Sequence, residues 1–220
     1  MNDLNFLKLI YELGGFLHPV SNGAIAKKAR LSNASVTERT KNIYENTEFL
    51  TYRRYYGSQL TKKGIELLKP YIQQQRLIET WLVNNLDYSL KDSHIEADIL
   101  STSVSDNFVS RLNRYLNYPK ICPHGNVIPN NSEIITDDPL TLTDELKKDQ
   151  TYVVQSFSED DYIFGLLETV DIKLNDSIKI LDIIDGIVII YNYRTNSKQL
   201  LPKVLAGSIR IVETSKAILE

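Results

Sequence analysis

The apolar residues of this chain change period partway along, and that change decides most of what the chain can fold into. Up to Leu116 they recur three and four residues apart, as on one face of a helix. From Thr151 onward they alternate, as on a half-buried strand. A helical front and a β tail are therefore expected, with the polar, Pro-containing stretch 131–150 as a linker.

The front has a recognisable grammar. Phe6, Leu9, Ile10 and Leu13 mark a first helix, ended by Gly14-Gly15. Ser21 or Asn22 can cap a second helix running to Arg30, and Leu31-Ser32-Asn33 is a short turn. Ser32 then caps a third helix over 34–44, and Ala26, Leu31, Val36 and Ile43 are expected to fill the pocket between the helices. Two helices joined by three or four residues are the geometry that seats the second in a major groove. Residues 49–61 follow as a hairpin turning at Tyr56-Gly57-Ser58, with Arg53, Arg54, Tyr55 and Tyr56 at or near its tip. Another helix starts at 61–64, which completes the order of a winged helix-turn-helix.

Charge supports a polyanion partner for this front. Residues 1–70 hold 11 Lys+Arg against 6 Asp+Glu, whereas residues 71–220 hold 14 against 22. A basic head on an acidic body fits double-stranded DNA. Lys27, Lys28, Arg39, Lys41, Arg53 and Arg54 are the candidate phosphate contacts, with Tyr55 beside them on the wing. Ser32, Asn33, Ser35, Thr37 and Glu38 are the small polar residues expected nearest the bases. Glu38 can accept from a cytosine amino group, or it only repels DNA or pairs with a lysine.

The middle reads as three amphipathic helices. Leu67, Leu68, Tyr71, Ile72, Ile78, Trp81 and Leu82 stripe the first, over 64–85. The second starts near Ser93. Ser105 caps the third, which carries Phe108, Val109, Leu112, Tyr115 and Leu116. Stripes with few other places to be buried point to a homodimer. In the tail, five β-rich runs and the turn signals Asp185-Gly186 and Thr195-Asn196-Ser197 fit a small SH3-like barrel, with a short helix near 162–170.

Residues 94–98 (HIEAD), 105–119 (SDNFVSRLNRYLNYP) and 122–129 (CPHGNVIP), in that order, resemble the core of the diphtheria-toxin-repressor family of iron- and manganese-dependent transcriptional regulators. The resemblance extends over the tail, as in three-domain members of that family. It implies a mainly α protein with β: a winged-helix DNA-binding domain over 1–64, a helical dimerisation and metal- or effector-sensing domain over 65–130, and an SH3-like (FeoA-like) domain over 151–220. It also implies two metal sites, both altered here. One would use Gln75, Glu79 and His94, with Gln75 standing where the family has histidine. A further carboxylate could come from Asp160. The other would use Asn5, Asp98, Ser101, Thr102 and Cys122, of which only Asp98 and Cys122 can be anionic. Mn²⁺ and Fe²⁺ need carboxylate and imidazole donors, which neutral hydroxyls replace poorly.

Several alternatives remain open on sequence. His94 either binds metal or only pairs with Glu79. Cys122 is a metal ligand, a buried small hydrophobe or a redox-sensing thiol. His124 and Gly125 read as turn formers. The switch is a residual Mn²⁺, Fe²⁺ or Zn²⁺ site at Glu79, His94 and Asp160, or a new one at Asp98 and Cys122. Otherwise it is a small-molecule effector or a partner protein. A protein-interaction module built on the SH3-like tail is the reading from another class. A single cysteine cannot form an internal disulfide, and no apolar run reaches the roughly 18 residues that span a bilayer, so a cytoplasmic protein without membrane contact is expected. No Gly-rich phosphate loop, HExxH or CxxC occurs, and an enzyme is not expected.

Overall fold

A computed structural model of the chain describes residues 2–133, 140–143 and 150–214. It divides into two compact units that interleave in sequence. The first comprises Met1–Ile78, Leu100–Lys120 and Val127–Asp137; the second comprises Glu79–Ile99, Ile121–Asn126 and Asp138–Glu220.

In the first unit, α1 (Asp3–Glu12) starts where the Asn2 side chain accepts from the Asn5 amide, and its face of Phe6, Leu7, Ile10 and Tyr11 is buried. Gly14 follows at φ +84°, a left-handed position that glycine takes without a side-chain clash. Ser21 caps α2 (Asn22–Ala29), and Arg30 ends it in the left-handed region. Ser32 caps α3 (Asn33–Asn46) by accepting from the Ser35 amide at 3.1 Å. Val36 and Ile43 are fully buried against α1 and α2 residues, whereas Leu31, expected in the same pocket, is 40% exposed. Its place in the left-handed exit from α2, after Arg30 at φ +54°, leaves it outside.

The wing is the antiparallel pair β1 (Leu50–Arg53) and β2 (Gly57–Leu60), with Leu50 opposite Leu60 and Arg53 opposite Gly57. The turn is Arg54-Tyr55-Tyr56, closed by the Tyr56 amide on the Arg53 carbonyl at 3.0 Å, so it lies earlier than the expected Tyr56-Gly57-Ser58. Gly57 belongs instead to the base of the wing, which is tied to the α1–α2 connection by reciprocal Val20–Ser58 backbone bonds of 2.7 and 2.9 Å. At φ +111°, a Cβ on residue 57 would come within 2.1 Å of the Val20 carbonyl. Gly57→Ala is therefore expected to cost about 1–3 kcal/mol, read as a lower urea midpoint with an unchanged slope. Helix α4 (Lys62–Leu86) buries Leu68 and Ile72 against this core but leaves Tyr71 43% exposed, outside the expected stripe. Helix α6 (Asp106–Tyr115), capped by Ser105, completes the unit's helices.

The second unit contains α5 (Leu90–Leu100, to Ile99) and the β tail. The tail runs β3 (Leu140–Thr141), β4 (Thr151–Phe157), α7 (Asp161–Val170), β5 (Ser177–Ile184), β6 (Ile187–Asn192), β7 (Ser197–Pro202), α8 (Lys203–Ala206) and β8 (Ile209–Glu213). The six strands form one antiparallel sheet in the order β3-β8-β4-β5-β6-β7. Asp185-Gly186, both at positive φ, turn β5 into β6 as the sequence signal suggests. Tyr152, Phe157, Phe164, Ile178 and Ile190 centre its core. Leu140–Thr141, in the stretch read as linker, pair with β8, and Leu142 is fully buried in that core. The rest of that stretch at 134–139 and 144–149 lies outside the described residues.

Candidate functional site

In the first unit, the N-terminal turn of α3 presents Ser32, Asn33, Ser35 and Glu38 to solvent. Ser32 and Ser35 hydroxyls lie 2.9 Å apart, leaving small groups over the helix N-terminus, where backbone N–H groups favour anions. Among the described residues Glu38 pairs with no lysine. Lys27 and Lys41 are exposed, as are Arg53 and Arg54 on the wing. Three other candidates are engaged within the protein. Thr37 is half-buried; its hydroxyl donates to the Asn33 carbonyl at 2.7 Å and accepts from Asn22 Nδ2 at 2.9 Å, tying α3 to α2. The Arg39 guanidinium reaches Asp3 Oδ1 at 2.7 Å and lies over the Phe6 ring. Lys28 pairs with Glu12 at 3.2 Å.

The second unit holds a different chemistry. Glu79 on α4 is fully buried, and so is His124; Cys122 is 2% exposed. One donor atom from each lies within 4.8 Å of the others. The turn at 122–126 places two of them. Gly125 N–H bonds to the Cys122 carbonyl and Cys122 N–H to the Asn126 carbonyl, both at 2.9 Å. Gly125, at φ +81°, lies so close to β4 that a Cβ would meet the Gln155 carbonyl at 2.1 Å. Only glycine lets the turn press that near.

The donors are held in orientation. His94 Nδ1–H donates to Glu79 Oε1 at 2.7 Å. His124 Nε2 lies 3.0 Å from the Leu90 carbonyl, which can only accept, so the proton sits on Nε2 and Nδ1 faces the cluster. Phe164 covers the His124 ring at 4.3 Å. His124 Nδ1 is 3.3 Å from Glu79 Oε2 and 3.8 Å from Cys122 Sγ, so that without metal a protonated His124 is the charged partner of Glu79 Oε2, which has no other donor among the described residues. Tetrahedral neighbours on a zinc-type ion stand about 3.3 Å (N to O) and about 3.6 Å (N to S) apart, given its usual bond lengths. These two separations are compatible with such an ion, and the buried Glu79 Oε2, held only by the His124 contact, is the atom that would gain from it.

Burial acts to raise the Glu79 carboxyl, but the His124 charge and the His94 hydrogen bond prevail and hold it well below the carboxylate range. Burial likewise acts to lower His124, and the Glu79 charge with the Cys122 contact raises it well above the usual imidazole value. Without metal, the pair's contribution to stability is therefore complete from above the ordinary carboxylate range up to the ordinary imidazole value. It is lost as pH rises through the raised His124 value, and on the acid side only as pH falls toward the depressed Glu79 value. The expected result is a metal-free melting temperature that falls in alkali, and falls less in His124→Phe.

His94 lies beside this cluster as an orienting partner of Glu79. Asp98 is exposed on α5, and Asp160 Oδ1 accepts from the Tyr162 and Ile163 amides to cap α7; neither belongs to the cluster. His124 was not legible as a donor in the sequence. The available signal was a Cys-x-His spacing with a proline between and a glycine after, a turn that points two donors the same way.

The profile of the iron-dependent repressor metal binding and dimerisation domain matches residues 61–130. The manganese regulator SloR is 30% identical, with TM-score 0.79 over 97% of this chain and 99% of its own. ScaR with bound Cd²⁺ is 30% identical, with TM-score 0.81 over 97% of this chain and 100% of its own. An uncharacterised HTH-type transcriptional regulator of Methanocaldococcus jannaschii is 29% identical over 98 residues, 44% of this chain and 78% of the relative. These relatives are regulators of transcription rather than enzymes, and the chain belongs to the diphtheria-toxin-repressor family of iron- and manganese-dependent transcriptional regulators.

Proposed function

We propose that this protein is a homodimeric, cytoplasmic repressor that binds a two-fold symmetric operator and is controlled by a divalent metal at Glu79, Cys122 and His124. The observation that carries the DNA half is the small, exposed N-terminal turn of α3 in the same unit as two wing arginines without acidic partners among the described residues. Each α3 would enter a major groove, with half-sites about 34 Å, one helical turn, or a multiple apart. Lys27, Lys41, Arg53 and Arg54 would meet phosphate, and Ser32, Asn33, Ser35 and Glu38 the base edges. Arg39 and Thr37 would act by holding α3 in place. The second copy would cover apolar side chains left exposed on α6, Phe108 at 40% and Tyr115 at 67%. No described helix is long and apolar enough to cross a membrane.

The metal half rests on donor chemistry. Thiolate, imidazole and carboxylate together favour Zn²⁺ over Mn²⁺, which prefers oxygen and imidazole donors. A bound ion would supply positive charge, which the Glu79 carboxylate and the Cys122 thiolate would balance, and His124 would hold it through a neutral Nδ1. Asn5, Ser101 and Thr102 carry no charge at positions where the family places ligands, so sensing of manganese or iron at that principal site is lost. Selection of bound fragments from random and genomic DNA tests the DNA half. A palindromic motif with about ten base pairs between half-site centres, or a multiple, supports it; recovery of no motif, with or without metal, would overturn it.

A further inference from the structure

The wing carries a feature that phosphate contact does not require. The Arg53 guanidinium lies 4.0 Å from the centre of the Tyr56 ring, and that of Arg54 lies 4.9 Å from the centre of Tyr55. Tyr55 is 89% exposed and Tyr56 59% exposed. Among the described residues no carboxylate pairs with either arginine, in contrast to Arg39 with Asp3 and Lys28 with Glu12. Tyr55 also holds φ +69°, an unfavourable conformation for a bulky side chain. A strained turn that exposes two aromatic rings is costly unless those rings have a use.

We propose that this tip reads a DNA minor groove, preferring narrow A·T-rich segments, through two arginines held flat against tyrosines. This rests on the operator-binding reading and adds a second determinant of specificity, at positions flanking those met by α3. The physical reasons are three. A guanidinium laid on a ring is partly dehydrated and has lost much of its rotational freedom before contact, which lowers the cost of entering a confined space. A two-stranded tip fits a groove about 6 Å wide, which a helix does not. A·T tracts narrow that groove and deepen its negative potential, whereas the guanine amino group of a G·C pair projects into it.

The test uses the full-length protein and three duplex polymers of equal charge spacing: poly(dA-dT), poly(dI-dC) and poly(dG-dC). Inosine lacks the guanine amino group, so I·C pairs resemble A·T in the minor groove and G·C in the major groove. The expected result is similar binding to the first two and roughly tenfold weaker binding to poly(dG-dC), the scale of one good groove contact. The double variant Arg53→Lys, Arg54→Lys keeps the charge and loses the planar fork. It should bind all three alike, with the poly(dG-dC) affinity and salt slope of the wild type. The proposal is overturned if poly(dI-dC) behaves as poly(dG-dC), if the wild type does not discriminate, or if the lysine variant keeps the preference. Absence of salt-dependent binding to every duplex would overturn the operator reading along with it.

Discussion

Glu79→Ala is expected to lose both metal affinity and stability, and the two losses have different causes. The carboxylate is fully buried, between His94 at 2.7 Å and His124 at 3.3 Å. Removing one partner of a buried charged pair typically costs about 3–5 kcal/mol. The lower end applies here, because the imidazoles can shed protons rather than remain charged and unpaired. Metal affinity should fall by more than about 100-fold, since even residues that merely orient ligands are worth 10- to 100-fold. Glu79→Gln separates the effects: it keeps the shape and one acceptor, so chemical denaturation should shift less, while zinc titration against a competing chelator should register nearly the whole loss. A Glu79→Gln protein that binds Zn²⁺ as tightly as wild type would remove Glu79 from the site.

Ser35→Glu is expected to abolish specific DNA binding while leaving the fold as stable as before, or slightly more so. Ser35 is the third residue of α3 after the Ser32 cap, and its amide already donates to Ser32 Oγ. A glutamate there completes a capping box and adds a negative charge near the positive end of the helix dipole, both favourable to the folded state. The same charge would face phosphate. Like charges brought together at an interface cost several kcal/mol, or at least about 100-fold in affinity. A melting temperature at or above wild type together with lost operator binding supports the placement of α3. Undiminished operator binding would mean that another surface meets the DNA.

Local structure was largely legible in the sequence because its determinants are local. Ser21, Ser32 and Ser105 each cap the helix their spacing indicates, and Asp185-Gly186 turns the hairpin that its residue types favour. What the sequence does not reveal falls where distant residues decide. Asp3, 36 residues away, engages the Arg39 guanidinium, and no local signal connects the two. Gly57 looked like a turn residue, but the approach of Val20 is what requires glycine there. His124 looked like part of a turn because its partner Glu79 sits on another element, and no periodicity connects the two. The resemblance pairs Cys122 with Asp98, and the backbone at 122–126 turns its sulfur toward His124 as well. Leu142 read as linker because its burial depends on strands that come later in the chain.

Control of DNA binding by the Glu79–Cys122–His124 cluster is tested most directly by operator affinity, measured at one salt concentration in chelator and again with Zn²⁺. Wild type, Glu79→Gln and Cys122→Ser would be compared. Tight, specific binding by the wild type with Zn²⁺, lost in chelator and in both variants, is the expected result. Specific binding that is equally tight in chelator, or unchanged in both variants, would contradict it.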